Sequence, residues 1–422
     1  MQVEENSLIK EKVYTEVLEN GMKILVIPKK NTDKKYIIWA TKFGSIDNNF
    51  IDPKTNKEVK VPDGVAHYLE HKMFEQESGV DSLYTMMALG LDANAYTTND
   101  HTAYLFGCTD NFYKGLDELM DYVQHPYYTD ENVEKERGII GQEIQRYDDE
   151  PIWKVYLNAM KCLYKHNAVT LDIAGTIESI SHITKETLYS CYNTFYHPSN
   201  MTMCICGDFE PEKVIEEVKR RLLPREKMEK IKRIYPEYEN EINKKKAESN
   251  MEVNMPIFMI GYRDFIKDED SNKKDVAIKI IFNSLLGKCS ESYQKMYNEG
   301  LVMRELGIDY EYSDQYAHVL IDGESPEPEK VYEYVKETLQ NGKITEEAFE
   351  RSKKRLYGEF VTNFGDVEQI GRMFLQDSIK GVDTLDYINQ LNKITLKDVN
   401  EIKNNIFGEE KSIISIVRAN NK

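Results

Sequence analysis

Two spacings of apolar residues alternate along the chain. Residues 23–27 and 36–42 carry continuous apolar runs of strand length, and Phe43-Gly44-Ser45 closes the second with a turn signal. Longer stretches of helical period begin after Asp63, which stands where an N-cap belongs, and recur over residues 110–123 and 129–147. Residues 202–207 read as a buried strand, and the runs 92–97 and 102–106, on either side of Asn99-Asp100, read as a hairpin. The rhythm breaks over residues 224–250, a polar stretch with Arg225, Glu226, Lys227 and Lys244-Lys245-Lys246, expected to be a linker with at most a short helix of its own. Beyond it the pattern restarts. Thr129-Asp130-Glu131-Asn132-Val133 through Gly141-Gln142-Glu143 resembles Thr345-Glu346-Glu347-Ala348-Phe349 through Tyr357-Gly358-Glu359 in composition and length, which points to an internal duplication. The expected division is a first domain over 1–223, a linker over 224–250 and a second domain over 251–422.

Composition narrows the function. Among 422 residues, 73 acidic against 55 basic side chains give a net charge of −18, which argues against nucleic acid as a partner because phosphate binding needs a basic footprint. Hydrophobic residues make up 41%, with 28 tyrosines, enough to exclude a disordered acidic chain. No apolar run approaches the ~20 residues of a membrane span, and the Glu- and Lys-laced first residues do not read as a signal peptide. Six cysteines are too sparse for a disulfide scaffold, and Cys204 and Cys206 have no further Cys or His pair nearby to make a metal site. A reducing cytoplasm is the expected compartment. Seven of the eight histidines precede the linker and only His318 follows it, so any imidazole chemistry belongs to the first half.

The stretch Gly64-Val65-Ala66-His67-Tyr68-Leu69-Glu70-His71-Lys72-Met73-Phe74 carries the candidate chemistry. On a helix, His67, Glu70 and His71 fall within about 100° of arc, with Val65, Ala66, Leu69 and Met73 on the opposing, core-facing arc. Imidazoles at i and i+4 can chelate one Zn²⁺, and a carboxylate between them can take a proton from its water. A third ligand is needed, and Glu143 is the candidate. Glu136 and Glu143 lie seven residues apart, about 20° off in azimuth, on a face shared with Ile139 and Ile140. Carboxylates there are costly unless compensated, as they would be if Glu143 ligates zinc and Glu136 supports it from behind. His101, His125, His166, His182 and His197 lack a partner at metal spacing. The hairpin strand holding Asn94, Ala95, Tyr96 and Thr97 is a candidate edge for an extended peptide.

His67-x-x-Glu70-His71 is the inverted zinc signature. Together with Glu136-Arg137 and Glu143 it resembles the pitrilysin family, which includes insulin-degrading enzyme and the mitochondrial processing peptidase. Further matches are Asn94-Ala95-Tyr96-Thr97, Ala174-Gly175-Thr176 with Ser179-Ile180, and Tyr196-His197-Pro198-Ser199-Asn200-Met201 leading to Gly207-Asp208. The chain looks closest to the bacterial YfmH-like branch, through Glu70-His71-Lys72-Met73-Phe74-Glu75, Gly138-Ile139-Ile140-Gly141-Gln142-Glu143-Ile144 and Pro326-Glu327-Pro328-Glu329. The resemblance implies an α+β fold of two homologous domains, each a mostly antiparallel sheet packed with helices, and two such chains facing each other as a clam shell. It implies one zinc per chain on His67, His71 and Glu143. Glu70 would act as general base and then pass its proton to the leaving amine, and Asn94, Ala95, Tyr96 and Thr97 would pair with the peptide substrate.

One departure bears on partners. The family usually carries an Arg and a Tyr seven apart that clamp substrate; here Tyr297 and Arg304 are seven apart in reversed order, and the clamp is not carried onto them. The expectation is therefore a heterodimer with a homologous subunit that lacks the zinc motif, or else a self-dimer. The expected activity is zinc-dependent endopeptidase cleavage of unfolded peptides or a precursor peptide. The alternative is a non-catalytic peptide-binding or assembly subunit, against which every motif residue is present.

Overall fold

The computed structural model describes residues 1–239, 241–264 and 271–420. The first half supplies strands β1 (Gln2–Asn6), β2 (Glu11–Val17), β3 (Lys23–Pro28) and β4 (Lys35–Thr41), then a short ribbon of β5 (Asn49–Ile51) and β6 (Glu58–Lys60). Helices α1 (Val65–Lys72) and α2 (Ser82–Ala88) lead to the hairpin β7 (Asp92–Thr97) and β8 (Thr102–Cys108). Helices α3 (Phe112–Gln124), α4 (Asp130–Asp148), α5 (Pro151–Leu163), α6 (Ile177–Ser181) and α7 (Lys185–Phe195) follow, before β9 (Met201–Gly207) and α8 (Pro211–Arg221). The second half supplies β10 (Lys246–Met251), β11 (Ile257–Arg263), α9 (Ser271–Leu285), α10 (Glu291–Asn298), β12 (Gly307–Tyr312) and β13 (Ala317–Glu324). It continues through α11 (Pro328–Asn341), α12 (Glu346–Asn363), α13 (Val367–Lys380) and two further helices to β14 (Ser412–Ala419).

By packing, the chain forms two units that are not continuous in sequence. The first comprises Met1–Ile144, Leu171–Tyr235 and Val361–Thr384. Its seven-stranded sheet has the order β1-β2-β3-β9-β4-β8-β7, in which only β3 and β9 are parallel neighbours. The interior strands are continuous apolar runs because both faces are covered: Ile24, Leu25, Val26 and Ile27 of β3 are all buried, as are Ile37, Ile38, Trp39 and Ala40 of β4. Helix α13 lies along β9 and β4. It comes close because Gly371 has no side chain there; a Cβ would stand 2.5 Å from Tyr36 Cδ1.

The second unit comprises Gln145–Thr170, Pro236–Phe360 and Leu385–Lys422. Its sheet has the order β10-β14-β11-β13-β12. Numbered in chain order within each half, these five strands repeat the arrangement of β3-β9-β4-β8-β7, and in both sets the first pair is parallel and the rest antiparallel. That identity of topology is the duplication seen in the sequence. Helix α5 packs on β14, β11 and β10, as α13 packs on the first sheet. The buried Arg263 donates to the Leu163 carbonyl at the end of α5 (2.6 Å). Helices α4 and α12 are the two related stretches found by sequence.

Two sequence expectations change. Residues 224–250 contain no helix among the described residues, and 246–250 belong to β10, an edge strand whose Lys-Ala-Glu-Ser-Asn alternation hides it among polar residues. Part of the stretch is fastened down: Arg233 pairs with the buried Asp47 at 2.8 Å, and Tyr235 donates to the same carboxylate at 2.6 Å. Asp63 is not the cap of α1 either; its carboxylate accepts from Asn48 (2.9 Å), and Gly64 holds the N-cap position at φ 89° with no side-chain cap.

Candidate metal centre

Helix α1 starts where two backbone segments touch. At Gly64 a Cβ would lie 2.4 Å from the Ala174 carbonyl oxygen, and at Gly175 (φ +78°) one would lie 2.5 Å from the Asp63 carbonyl oxygen. Ser179, which also closes the capping box of α6 with Thr176, donates to that Asp63 carbonyl at 2.8 Å. The Ala174-Gly175-Thr176 motif therefore fixes the direction in which α1 enters the core.

The helix so launched is buried on almost every side. Val65, Ala66, Tyr68 and Leu69 are buried, as the sequence pattern requires, but so are His67, Glu70 and Lys72; only His71 is partly open. The polar arc of His67, Glu70 and His71 stands opposite the apolar one as expected, but it too is largely withdrawn from solvent. Glu70, His71 and Lys72 are tolerated because each finds a partner on another segment. Thr97 on β7 donates its hydroxyl to Glu70 Oε2 at 2.5 Å. His71 Nδ1 lies 3.0 Å from Glu136 Oε1, and the Lys72 ammonium pairs with Glu75 and, at 3.7 Å, with Glu136 Oε2. On α4 the shared face is also mixed: Ile140 is buried, whereas Ile139 is 48% exposed.

His67, His71 and Glu143 converge. Glu143 Oε2 lies 3.8 Å from His67 Nε2 and 3.4 Å from His71 Nε2, and one donor atom from each of the three lies within 4.8 Å of the others. The imidazole centroids are 4.6 Å apart with the rings tilted by 60°. Zinc bonds of about 2.0–2.2 Å place tetrahedral ligand atoms roughly 3.3–3.6 Å from one another; the His71–Glu143 spacing of 3.4 Å matches, and the His67–Glu143 spacing of 3.8 Å is a few tenths longer. The buried His67 Nδ1 has no hydrogen-bond partner among the described residues.

Electrostatics separates the two imidazoles. Burial, with the charge of His71, pushes His67 down to about 4, more than Glu143 and Glu136 raise it. Burial also opposes charge on His71, but its hydrogen bonds to Glu136 and Glu143 prevail and carry it up to about 10. Burial lifts Glu70 to about 7, against the pull of the Thr97 hydrogen bond and the His71 charge. Burial would raise Glu136 too, yet the His71 hydrogen bond and the His71 and Lys72 charges hold it below the usual carboxylate range.

Strand β7 is the edge of its sheet and packs against α1. Asn94 and Ala95 line a cavity of about 720 Å³ together with Glu70, His71, Glu136 and Tyr84. Tyr96 turns elsewhere: its hydroxyl is 3.3 Å from His101 Nε2, and the Arg372 guanidinium lies over its ring. Thr97 is committed to Glu70. In the second unit, Tyr297 is exposed on α10 and stacks on Tyr293, while Arg304 pairs with Glu324 at 2.9 Å. Sequence reasoning missed the Thr97–Glu70 bond and the place of Lys72; a lysine inside an otherwise apolar helical stretch was the only hint of the latter.

Comparison with known proteins bears on this arrangement. The family model described as Insulinase (Peptidase family M16) matches residues 56–177, and that described as Peptidase M16 inactive domain matches residues 182–356. The chain is 37% identical over 417 residues, 97% of each chain, to the uncharacterized zinc protease YmfH of Bacillus subtilis. That relative is a bacterial member of the expected family, named YmfH where a YfmH-like branch was expected. A crystal structure of an M16-like peptidase from Alicyclobacillus acidocaldarius superposes with a TM-score of 0.91 at 32% identity, covering 97% of this chain and 99% of that one. The periplasmic protease PqqL of Escherichia coli shares the fold at 17% identity and a TM-score of 0.74, over 97% of this chain but 48% of that one.

Proposed function

Given that the chain belongs to the insulinase (M16) family of peptidases, we propose that it is a zinc-dependent endopeptidase acting on unfolded peptides or on a precursor peptide. The observation that carries this reading is the convergence of His67, His71 and Glu143 within 4.8 Å, beside a buried Glu70. In this reading those three residues hold one zinc, and Glu136 keeps the His71 ring in place. The zinc would supply Lewis acidity, lowering the pKa of a water molecule and polarising the scissile carbonyl. Glu70 receives the proton of the attacking water and returns it to the leaving amine. Burial, which disfavours the charged carboxylate, eases proton uptake by Glu70. Asn94, Ala95, Tyr96 and Thr97 offer the main-chain edge of β7 to an extended substrate, with little demand on its sequence.

The proposed domains are the two sequence halves, 1–223 and a second that opens with β10 at Lys246, with α13 packing in the first unit and α5 in the second and the chemistry confined to the first. A homologous subunit without the zinc motif is the proposed partner, a self-dimer the alternative. PqqL, about twice as long, supports pairing, since this fold accounts for only 48% of it. Six free cysteines, four of them buried, suit a reducing cytoplasm. A second reading, a non-catalytic peptide-binding subunit, draws on the match of residues 182–356 to a domain described as inactive.

Glu70→Gln separates the two readings. Metal analysis should give one zinc per chain in both forms, while cleavage of a quenched peptide should fall by about 10²–10⁴-fold in the variant. Equal activity would remove Glu70 from the base role, and no chelator-sensitive cleavage by the parent chain, alone or with a homologous partner, would favour the binding subunit.

A further inference from the structure

We infer that Lys72 is a positioning residue of the metal centre: a buried ammonium that pins Glu136, which in turn holds the His71 ring with Nε2 facing Glu143. The inference rests on the proposed zinc peptidase reading. The Lys72 side chain is 0% exposed, a setting in which lysine is rare unless paired. Its ammonium meets Glu75, three residues on, and lies 3.7 Å from Glu136 Oε2 on α4. Glu136 commits its other oxygen to His71 Nδ1 at 3.0 Å. The line ammonium, carboxylate, imidazole ends at His71 Nε2, 3.4 Å from Glu143 Oε2.

A carboxylate hydrogen-bonded at one oxygen can swing about its side-chain bonds; an ammonium 3.7 Å from the other oxygen favours one rotamer by charge attraction, and with it one orientation of the ring it holds. The cation also answers a local excess of negative charge. Glu75 and Glu136 both face the buried Lys72 ammonium, so it offsets negative charge on the carboxylate that holds His71. The inverted zinc signature itself needs no charge at position 72, and the flanking Leu69 and Met73 are fully buried apolar residues. Lys72→Met removes only one partner of the pair and leaves the carboxylates uncompensated, which itself costs stability, so the test reads metal binding in a folded variant rather than stability alone.

The test compares Lys72→Met, Lys72→Gln and Lys72→Arg with the parent chain. It reads zinc affinity against a competing chelator and the visible absorption of the Co²⁺-loaded protein. The expected result is zinc binding about 10–100-fold weaker in the Met and Gln variants, an altered Co²⁺ spectrum, and substantial recovery in Lys72→Arg. In a Glu136→Gln background, Lys72→Met should weaken zinc binding by less than about 2-fold, since the two residues act in series. Unchanged zinc affinity and Co²⁺ spectrum in a folded Met or Gln variant would overturn the inference. So would failure of both to fold, which would make Lys72 a folding residue. A parent chain that binds no zinc would overturn the peptidase reading as well, whereas parent and variants binding zinc equally would overturn this inference alone.

Discussion

Two imidazoles four residues apart on one helix are held in opposite protonation states: His67 is driven down to about 4 and His71 up to about 10. Each must present a lone pair to hold a metal, so metal uptake near pH 8 must displace a proton from His71 but none from His67. Zinc affinity should therefore rise with pH, about tenfold per unit, up to the His71 value. Calorimetric zinc titrations in buffers of different ionisation enthalpy should show close to one proton released. Zero release would exclude His71 as a ligand. At this scale the His67, Glu70 and His71 cluster was legible because helical spacing alone brings it together. Thr97 as a donor to Glu70, 27 residues away, was not, since only tertiary packing joins them. Glu143 lay between these cases: its spacing from Glu136 marked a carboxylate on a helix face, but not where that face points.

Elements with a strong apolar signature were read nearly to the residue. Helix α4 and strands β3, β4 and β7 fall where the pattern put them, whereas β10 was absorbed into a presumed linker because its edge position leaves it half polar. The start of α1 was placed correctly but explained wrongly. A capping carboxylate was expected, and the structure uses Gly64 in the left-handed region pressed against Ala174. Gly64→Ala should strain the backbone by about 1–2 kcal/mol and push a methyl into a carbonyl, giving a total loss of about 2 kcal/mol or more. Thermal unfolding should show a drop of several degrees, with zinc binding weakened because His67 and His71 follow within two turns. An Ala variant as stable as the parent would show that the contact with Ala174 relaxes freely.

Over the whole molecule, one strand order appears twice, and each sheet is covered by a helix drawn from the other half of the sequence: α5 on the second, α13 on the first. The repeated halves were visible in the recurrence of the α4 and α12 sequences, but the crosswise placement of α5 and α13 was not, because an amphipathic helix does not record which sheet it covers. Residues 1–223 produced alone should be insoluble or molten, with apolar β4 and β9 surface open to dye binding. Co-production with residues 224–422, which carry β10, α13 and the Arg233 and Tyr235 contacts, should restore a cooperative transition, read by near-ultraviolet circular dichroism. A stable, cooperatively unfolding 1–223 fragment would show that α13 is dispensable. The same arrangement sets an order of events during synthesis. The first unit cannot close until residue 380 has left the ribosome; its strands are complete at residue 207, so the nascent chain carries an uncovered, adhesive β9 and β4 face for about 170 residues of synthesis, an interval open to aggregation or chaperone capture.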